Sequence, residues 1–446
     1  MRKVIYLFFL LISVSAYVYC QEIPKFGGVL RIGIKSDITT HYPWEVRDME
    51  TLMAMGNVYE PLVRLKKEVA DTEPCLAIEW NPSKDFKKWI FKLRQNVKFH
   101  DGTVFNADSV IETLSLSKIL NAEIKKKDNY TVEFNLAKPN AAFAISLSIE
   151  YFGIASKSTV ECFKNKCKEF IAKGTGPFII EEREPGKEIT LTANPNYWRG
   201  RPYLDKVIFY VFKNSEEALK ALINKKIDIL LGLSPQNIEE VKKYKHLVFQ
   251  SKPALGIGFV GMNTERLPFN NKLIRKAISY AINKKEIVNN FFYLGQAGSV
   301  AKSWLPPAMF SYDKDIMEVL YDLNKAYQLL SQAGYPDGFE TTIMPPPVAR
   351  ITMPQPDKIS NDVAVQLAKI GIKAKIVKAN TWKEFLDNAF SGNFEILLFG
   401  WVADTADPND FLSALFTKEA INFTKVRGYV LHPASRLYLD YIWLSE

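Results

Sequence analysis

A chain of 446 residues is too long for one ordinary domain, and with 47% hydrophobic and 24% charged residues it can bury several cores. Its formal net charge of +9 is spread over interleaved bases and acids, as in Lys125-Lys126-Lys127-Asp128, with no arginine-rich stripe between aromatics. That pattern argues against a nucleic-acid-binding surface, so no nucleic-acid partner is expected.

The N-terminus reads MRKVIYLFFLLISVSAYVYC, with Arg2 and Lys3 ahead of an apolar run from Val4 to Val14. Residues 1–20 are therefore predicted to be a secretory signal peptide, because the run is too short to span a bilayer. Val18 and Cys20 suit the −3 and −1 positions of a cleavage site, which gives a mature start at Gln21. The rival reading makes Cys20 a lipid-anchored first residue, against which the bulky Tyr19 argues. No later segment is apolar for long enough to cross a membrane, so an exported, periplasmic protein is expected.

Strands and helices then alternate. VLRIGIK (29–35) is predicted as a strand, and WIFKLRQNVKF (89–99) and TVEFNLA (131–137) alternate apolar and polar residues as strands do. Asp101-Gly102 marks a turn, and His100-Asp101 is read as part of it. Cys162 and Cys167, in CFKNKC, are close enough for a disulfide, with Cys75 unpaired; the metal-binding alternative lacks a nearby histidine. GTGPF (174–178) lacks the Gly-Lys-Ser/Thr ending of a phosphate cradle. VIFYVF (207–212) is a strand leading to a helix that Ser215 is predicted to cap. Ile274, Ala277, Ile278, Ala281 and Ile282 recur at helical spacing, which predicts one longer helix over NNKLIRKAISYAINKKEIVNNFF. DLNKAYQLLSQAGYPDGF predicts a helix begun by Asp322 and stopped by Gly334. A helix near 359–370, a strand AKIV (374–377), a short helix at 381–390 and the strand EILLFGW (395–401) follow. This alternation predicts two or more α/β lobes.

Three aspartates crowd the segment GWVADTADPND (400–410). Asp407-Pro408-Asn409-Asp410 reads as a helix start, with Asp407 as N-cap, Pro408 in the first turn and Asp410 facing the positive end of the dipole. Asp404 is left over, in the loop leaving the C-terminal end of a strand, where open α/β sheets bind ligands. It is either a turn-former or an anion that receives a ligand cation. In MPPPVARITMPQP (344–356) a stiff proline-rich segment carries Arg350. Composition alone makes this a surface connection; a rigid loop aiming one guanidinium is also suited to a carboxylate.

The chain resembles the periplasmic solute-binding proteins of ABC importers, in particular the dipeptide- and oligopeptide-binding group. The resemblance is carried, in order, by PCLAIEWNPSKDFKKWIFKLRQNVKFHDGTVFNADSV, GTGPF, NPNYWRGRPYLDKV (194–207), NNKLIRKAISYAIN and KAYQLLSQAGYPDGF. It implies a periplasmic-binding-protein-like α/β fold, two lobes with a hinged cleft plus an extra small domain. The implied boundaries are 21–58, 174–255 and 427–446 for lobe I, 59–173 for an inserted domain II and 256–426 for lobe III, with hinges near 255 and 426. TKEAINFTK joins FLSALF to the last segment more directly than the family pattern does, so lobe III is expected to be shortened there.

The resemblance further implies that Asp404 pairs with a peptide ammonium, that Arg350 takes the peptide carboxylate and that Trp401 walls the pocket, core packing being the alternative for Trp401. The expected activity is capture of dipeptides or short oligopeptides by a monomer and delivery to an inner-membrane permease with its ATPase subunits, without a cofactor and without catalysis. The alternatives are a nickel-chelate or haem binder of the same fold, or an exported hydrolase using Asp404 and Asp407 as an acid–base pair.

Overall fold

The computed structural model describes residues 25–46, 48–66, 71–168, 171–233, 237–250, 255–293, 295, 298–307, 309, 311–403, 407–416, 437–438 and 443–445. The predicted signal peptide, Cys20, the hinge positions near 255 and 426, and the expected shortening after Phe416 lie wholly or largely outside them.

The strand Val29–Ile34 begins a five-stranded sheet in the order Ile229–Leu230, Val29–Ile34, Lys206–Val211, Glu188–Ala193, Phe178–Glu184. Val29–Ile34 runs parallel to both neighbours, and the remaining pairs are antiparallel. Between Ile34 and Phe178 the chain leaves this sheet and builds another, ordered Ala77–Pro82, Lys88–Leu93, Thr131–Leu136, Ala122–Asp128, all antiparallel. The alternation read in the sequence is the cause: Trp89, Phe91 and Leu93 point into a core with Phe134 and Phe143, while Lys88 and Lys92 stay exposed.

A third, seven-stranded sheet is centred on Gly256–Asn263, whose eight residues are all buried. Its two faces serve two cores. Val260 and Met262 pack with Ile396, Leu398 and the helices Lys272–Ala281 and Pro356–Ala368, whereas Ile257 and Phe259 pack with Leu397, Phe399, Phe385 and Trp304. Covering helices on both faces explain why these strands read as continuous apolar runs.

Three expectations are corrected. The segment predicted as one helix is two, Lys272–Ala281 and Lys284–Phe291. Ile282 is extended (φ −97°, ψ 118°), and Asn283 caps the second helix by accepting the Glu286 N–H at 3.2 Å. Local capping therefore outweighs the apolar periodicity that runs through the break. The helix Ser215–Ile223 is capped by Asn214, not Ser215: Asn214 Oδ1 accepts from the Glu216 N–H at 2.7 Å. Lastly, Leu437–Tyr438 and Trp443–Ser445, expected in lobe I, pair with Gly256–Asn263 and not with the sheet of Val29–Ile34. Ile396–Val402 occupies one edge of that buried strand, and its other edge carries backbone groups that must also be paired. Asp322 and Gly334 stand where expected, Asp322 accepting from the Lys325 N–H at 2.9 Å and Gly334 with φ +89°.

Candidate functional site

The strand Glu340–Met344 delivers the chain into the proline-rich segment, which ends where Pro356 opens the next helix. Within it, Arg350 and Met353 close a tight turn by exchanging backbone hydrogen bonds, each 3.0 Å. The turn is seated on the two central strands. Gly400 and Gly256 both face Thr352, and a Cβ on Gly400 would overlap the Thr352 side chain. Gly258 and Gly400 are register partners, so the seat is built where the two strands lie side by side.

The Arg350 side chain is exposed, and its guanidinium carbon lies 4.8 Å from the centroid of the Trp382 ring. Among the described residues no carboxylate lies at ion-pair distance from it. Trp382 is the first residue of the helix Trp382–Ser391, capped by Thr381, whose Oγ1 accepts the Glu384 N–H at 3.1 Å. Nothing in the sequence links Arg350 to Trp382; only the fold brings them together.

Trp401 lies on Ile396–Val402, opposite Ile257, and is half-buried against the cluster holding Phe259, Phe399 and Phe411. Its Nε1–H donates to Asp410 Oδ1 at 3.4 Å. Asp410 thus serves the indole as well as the first turn of the helix Asn409–Phe416. Asp407 Oδ1 accepts the Asn409 N–H at 2.7 Å, so this carboxylate serves the helix start. Asp404 lies outside the described residues; the chain enters its loop from Ala403, whose N–H donates to the Leu255 carbonyl at 2.7 Å.

The two motifs that looked bland in sequence meet each other. His100 Nε2–H donates to the Gly176 carbonyl at 3.0 Å, and Nδ1 accepts from the Gly174 N–H at 3.3 Å, which assigns the proton to Nε2. Burial holds the ring neutral and lowers its pKa to about 4. GTGPF is therefore a backbone clasp for His100 and not a phosphate site. Asp101 accepts from Ser158 Oγ at 2.7 Å, which completes the turn's attachment to the helix Lys157–Lys164.

Glu60, which sequence reasoning passed over, is fully buried. Its carboxylate accepts from Arg64 at 2.7 Å, Thr175 Oγ1 at 2.9 Å, Tyr197 OH at 2.7 Å and Trp198 Nε1 at 2.7 Å. Arg94 and Arg199 lie over the Trp198 ring at 4.3 and 4.5 Å. GTGPF and NPNYW are thus held to the chain near Glu60 by one satisfied carboxylate, an architectural use of motifs that carry no chemistry. Cys75 is buried beside it with its thiol pushed up to about 12 by burial, and Cys162 and Cys167 form a disulfide with Cα atoms 5.0 Å apart. Among the described residues no group of three His, Cys, Asp or Glu side chains is arranged to hold a metal, and no helix is long and apolar enough to cross a membrane.

Five parallel and antiparallel strands interrupted by a separate sheet, followed by a second mixed sheet under helices, are the layout of periplasmic binding proteins. DppA of Helicobacter pylori, an ABC transporter-associated periplasmic binding protein solved with the peptide STSA, is similar at a TM-score of 0.73 and 31% identity, covering 90% of this chain and 83% of that one. The fold is accordingly an α/β fold of the periplasmic-binding-protein type. The chain belongs to the bacterial extracellular solute-binding proteins, family 5 Middle, matched over residues 71–423. That is a family of solute binders, not of enzymes. Haem-binding protein A of Haemophilus influenzae is 31% identical over 392 residues, 80% of this chain and 71% of that protein. The dipeptide-binding protein of Escherichia coli is 29% identical over 406 residues, 82% of this chain and 75% of that protein.

Proposed function

We propose that this solute-binding protein captures dipeptides or short oligopeptides and hands them to an ABC importer. Asp404 receives the peptide ammonium, Arg350 the peptide carboxylate, and Trp401 stands behind the ligand while packing into its own core. The observation that carries this reading is the geometry at Arg350: an exposed guanidinium on a rigid turn, stacked on an indole, with no described carboxylate beside it. Its turn rests on Gly400, on the strand that leads toward Asp404. A zwitterion bridging the two side chains satisfies both charges, and a bidentate carboxylate matches the arginine fork.

In this reading the protein is exported through the signal peptide of residues 1–20 and acts as a monomer. Lobe I (21–58 and 174–255) and lobe III (from 256 onward) close on the ligand about the crossing near 255, with 59–173 as the inserted domain. The partners are a membrane permease and its ATPase subunits. Side-chain tolerance comes from water-filled pockets around a fixed backbone.

Removing one member of an enclosed charge pair costs roughly 2–5 kcal/mol, or about one and a half to three and a half decades of affinity. Titration calorimetry with the dipeptide Met-Leu should therefore give micromolar binding for the wild type and its loss in both Asp404→Ala and Arg350→Ala, with unfolding midpoints unchanged. Wild-type affinity in either variant would remove that residue from the site. The identity to a protein named for haem binding favours haem as a second reading. A haem titration followed by absorbance decides between them: saturable haem binding without Met-Leu binding would select haem.

A further inference from the structure

We propose that Trp382 is a positioning residue for the carboxylate end of the ligand: its indole is the platform that fixes the plane and direction of the Arg350 guanidinium. This rests on the reading of Arg350 given above. An exposed arginine has four soft dihedrals and samples many directions, so a fork aimed at one carboxylate must be restrained before the ligand arrives.

The turn of Arg350 and Met353 fixes only the backbone. Restraint of the head comes from the ring 4.8 Å away, since a guanidinium stacks on an aromatic face and keeps its edge N–H groups free for an acceptor. The platform is itself packed on the core. Trp382 stacks on Phe385 (centroids 5.2 Å, planes 23° apart), and the fully buried Phe385 packs on Phe399 at 5.7 Å. Phe399 lies on Ile396–Val402, next to Gly400, on which the Arg350 turn is seated. The arginine is thus held to one strand by two routes, through its backbone turn and through its head group. Thr381 Oγ1 accepts the Glu384 N–H at 3.1 Å and Glu384 Oε2 accepts the Asn380 N–H at 2.8 Å, and together these bonds hold the helix end that carries the ring.

The test compares Met-Leu with its C-terminal amide, which keeps the ammonium and both side chains but lacks the carboxylate. Trp382→Leu keeps apolar packing on Phe385 and removes the platform; Trp382→Phe keeps a ring. The expected result is a roughly 3- to 30-fold loss of affinity for the free acid in Trp382→Leu, no change for the amide, and substantial recovery in Trp382→Phe. In an Arg350→Ala background Trp382→Leu should have no further effect. Equal losses for acid and amide, an unchanged acid affinity, or a full additional loss in the Arg350→Ala background would overturn the proposal. If Trp382→Leu does not fold, Trp382→Phe decides by the same acid-to-amide ratio, which must stay near that of the wild type. A wild type that binds acid and amide equally, or an Arg350→Ala variant with unchanged affinity, would instead strike at the carboxylate site itself, and Trp382 would then have nothing to position.

Discussion

His100 is a lone histidine in the sequence and a buried clasp in the fold, and its environment makes a pH prediction. Its folded pKa is about 4, below the ordinary value of 6.5, because burial penalises the charged ring. The unfolded chain therefore binds the extra proton first, so the contribution to stability is complete above about pH 6.5 and is lost as pH falls toward 4. The loss across that window is roughly 3 kcal/mol at 1.36 kcal/mol per pKa unit. His100→Gln keeps a donor for the Gly176 carbonyl and cannot titrate. Thermal unfolding between pH 7 and 4.5 should show a shallower acid decline for it than for the wild type; parallel curves would assign the decline to other groups, of which His41, also lowered to about 4 by burial, is one. Composition alone makes the segment of Arg350 a surface connection, and only the family resemblance gives its arginine a carboxylate to hold. The contacts of Trp382 with Arg350 and of Glu60 with Thr175, Tyr197 and Trp198 are not legible in the sequence, because they join segments far apart in the chain and no local pattern records them.

At the scale of elements, the turn that carries Arg350 is seated on a glycine that reads as an ordinary strand residue. Gly400 leaves room for Thr352, and through it for the turn that carries Arg350. Gly400→Ala should cost about 1–3 kcal/mol of stability, as overpacking at a tight contact does. Its affinity for Met-Leu should fall as well, because the arginine turn is what must move. Denaturant unfolding and titration of the same variant check both effects; lost stability with wild-type affinity would mean that the turn does not set the arginine's direction. The strand Lys88–Leu93 follows from its alternation, although the expected segment 89–99 overruns it by six residues, and Ile396–Val402 follows from its apolar run. Helix ends were read less well. The run of apolar residues through Ile282 suited one helix, yet Asn283 offers the backbone a cap, and the cap decides. Asn214 displaces Ser215 for the same reason, an adjacent side chain that reaches the first N–H groups.

For the whole molecule, the buried carboxylate of Glu60 and the clasp at His100 join motifs that sequence order keeps apart, which gives those motifs an architectural use. The α/β class is legible in the alternation of strands and helices, and its periplasmic-binding-protein type in the resemblance those motifs carry. The placing of the last strands was not, because a short apolar segment fits any unpaired strand edge, and here the edge of Gly256–Asn263 takes it. The central claim is that a clamshell of this kind closes on a small zwitterion held by its two ends. Mass spectrometry of whatever is released by denaturing the freshly purified protein tests it most directly. Short peptides with unblocked amino and carboxyl ends are the expected result. Release of haem or a metal chelate, or of peptides blocked at either end, would contradict it.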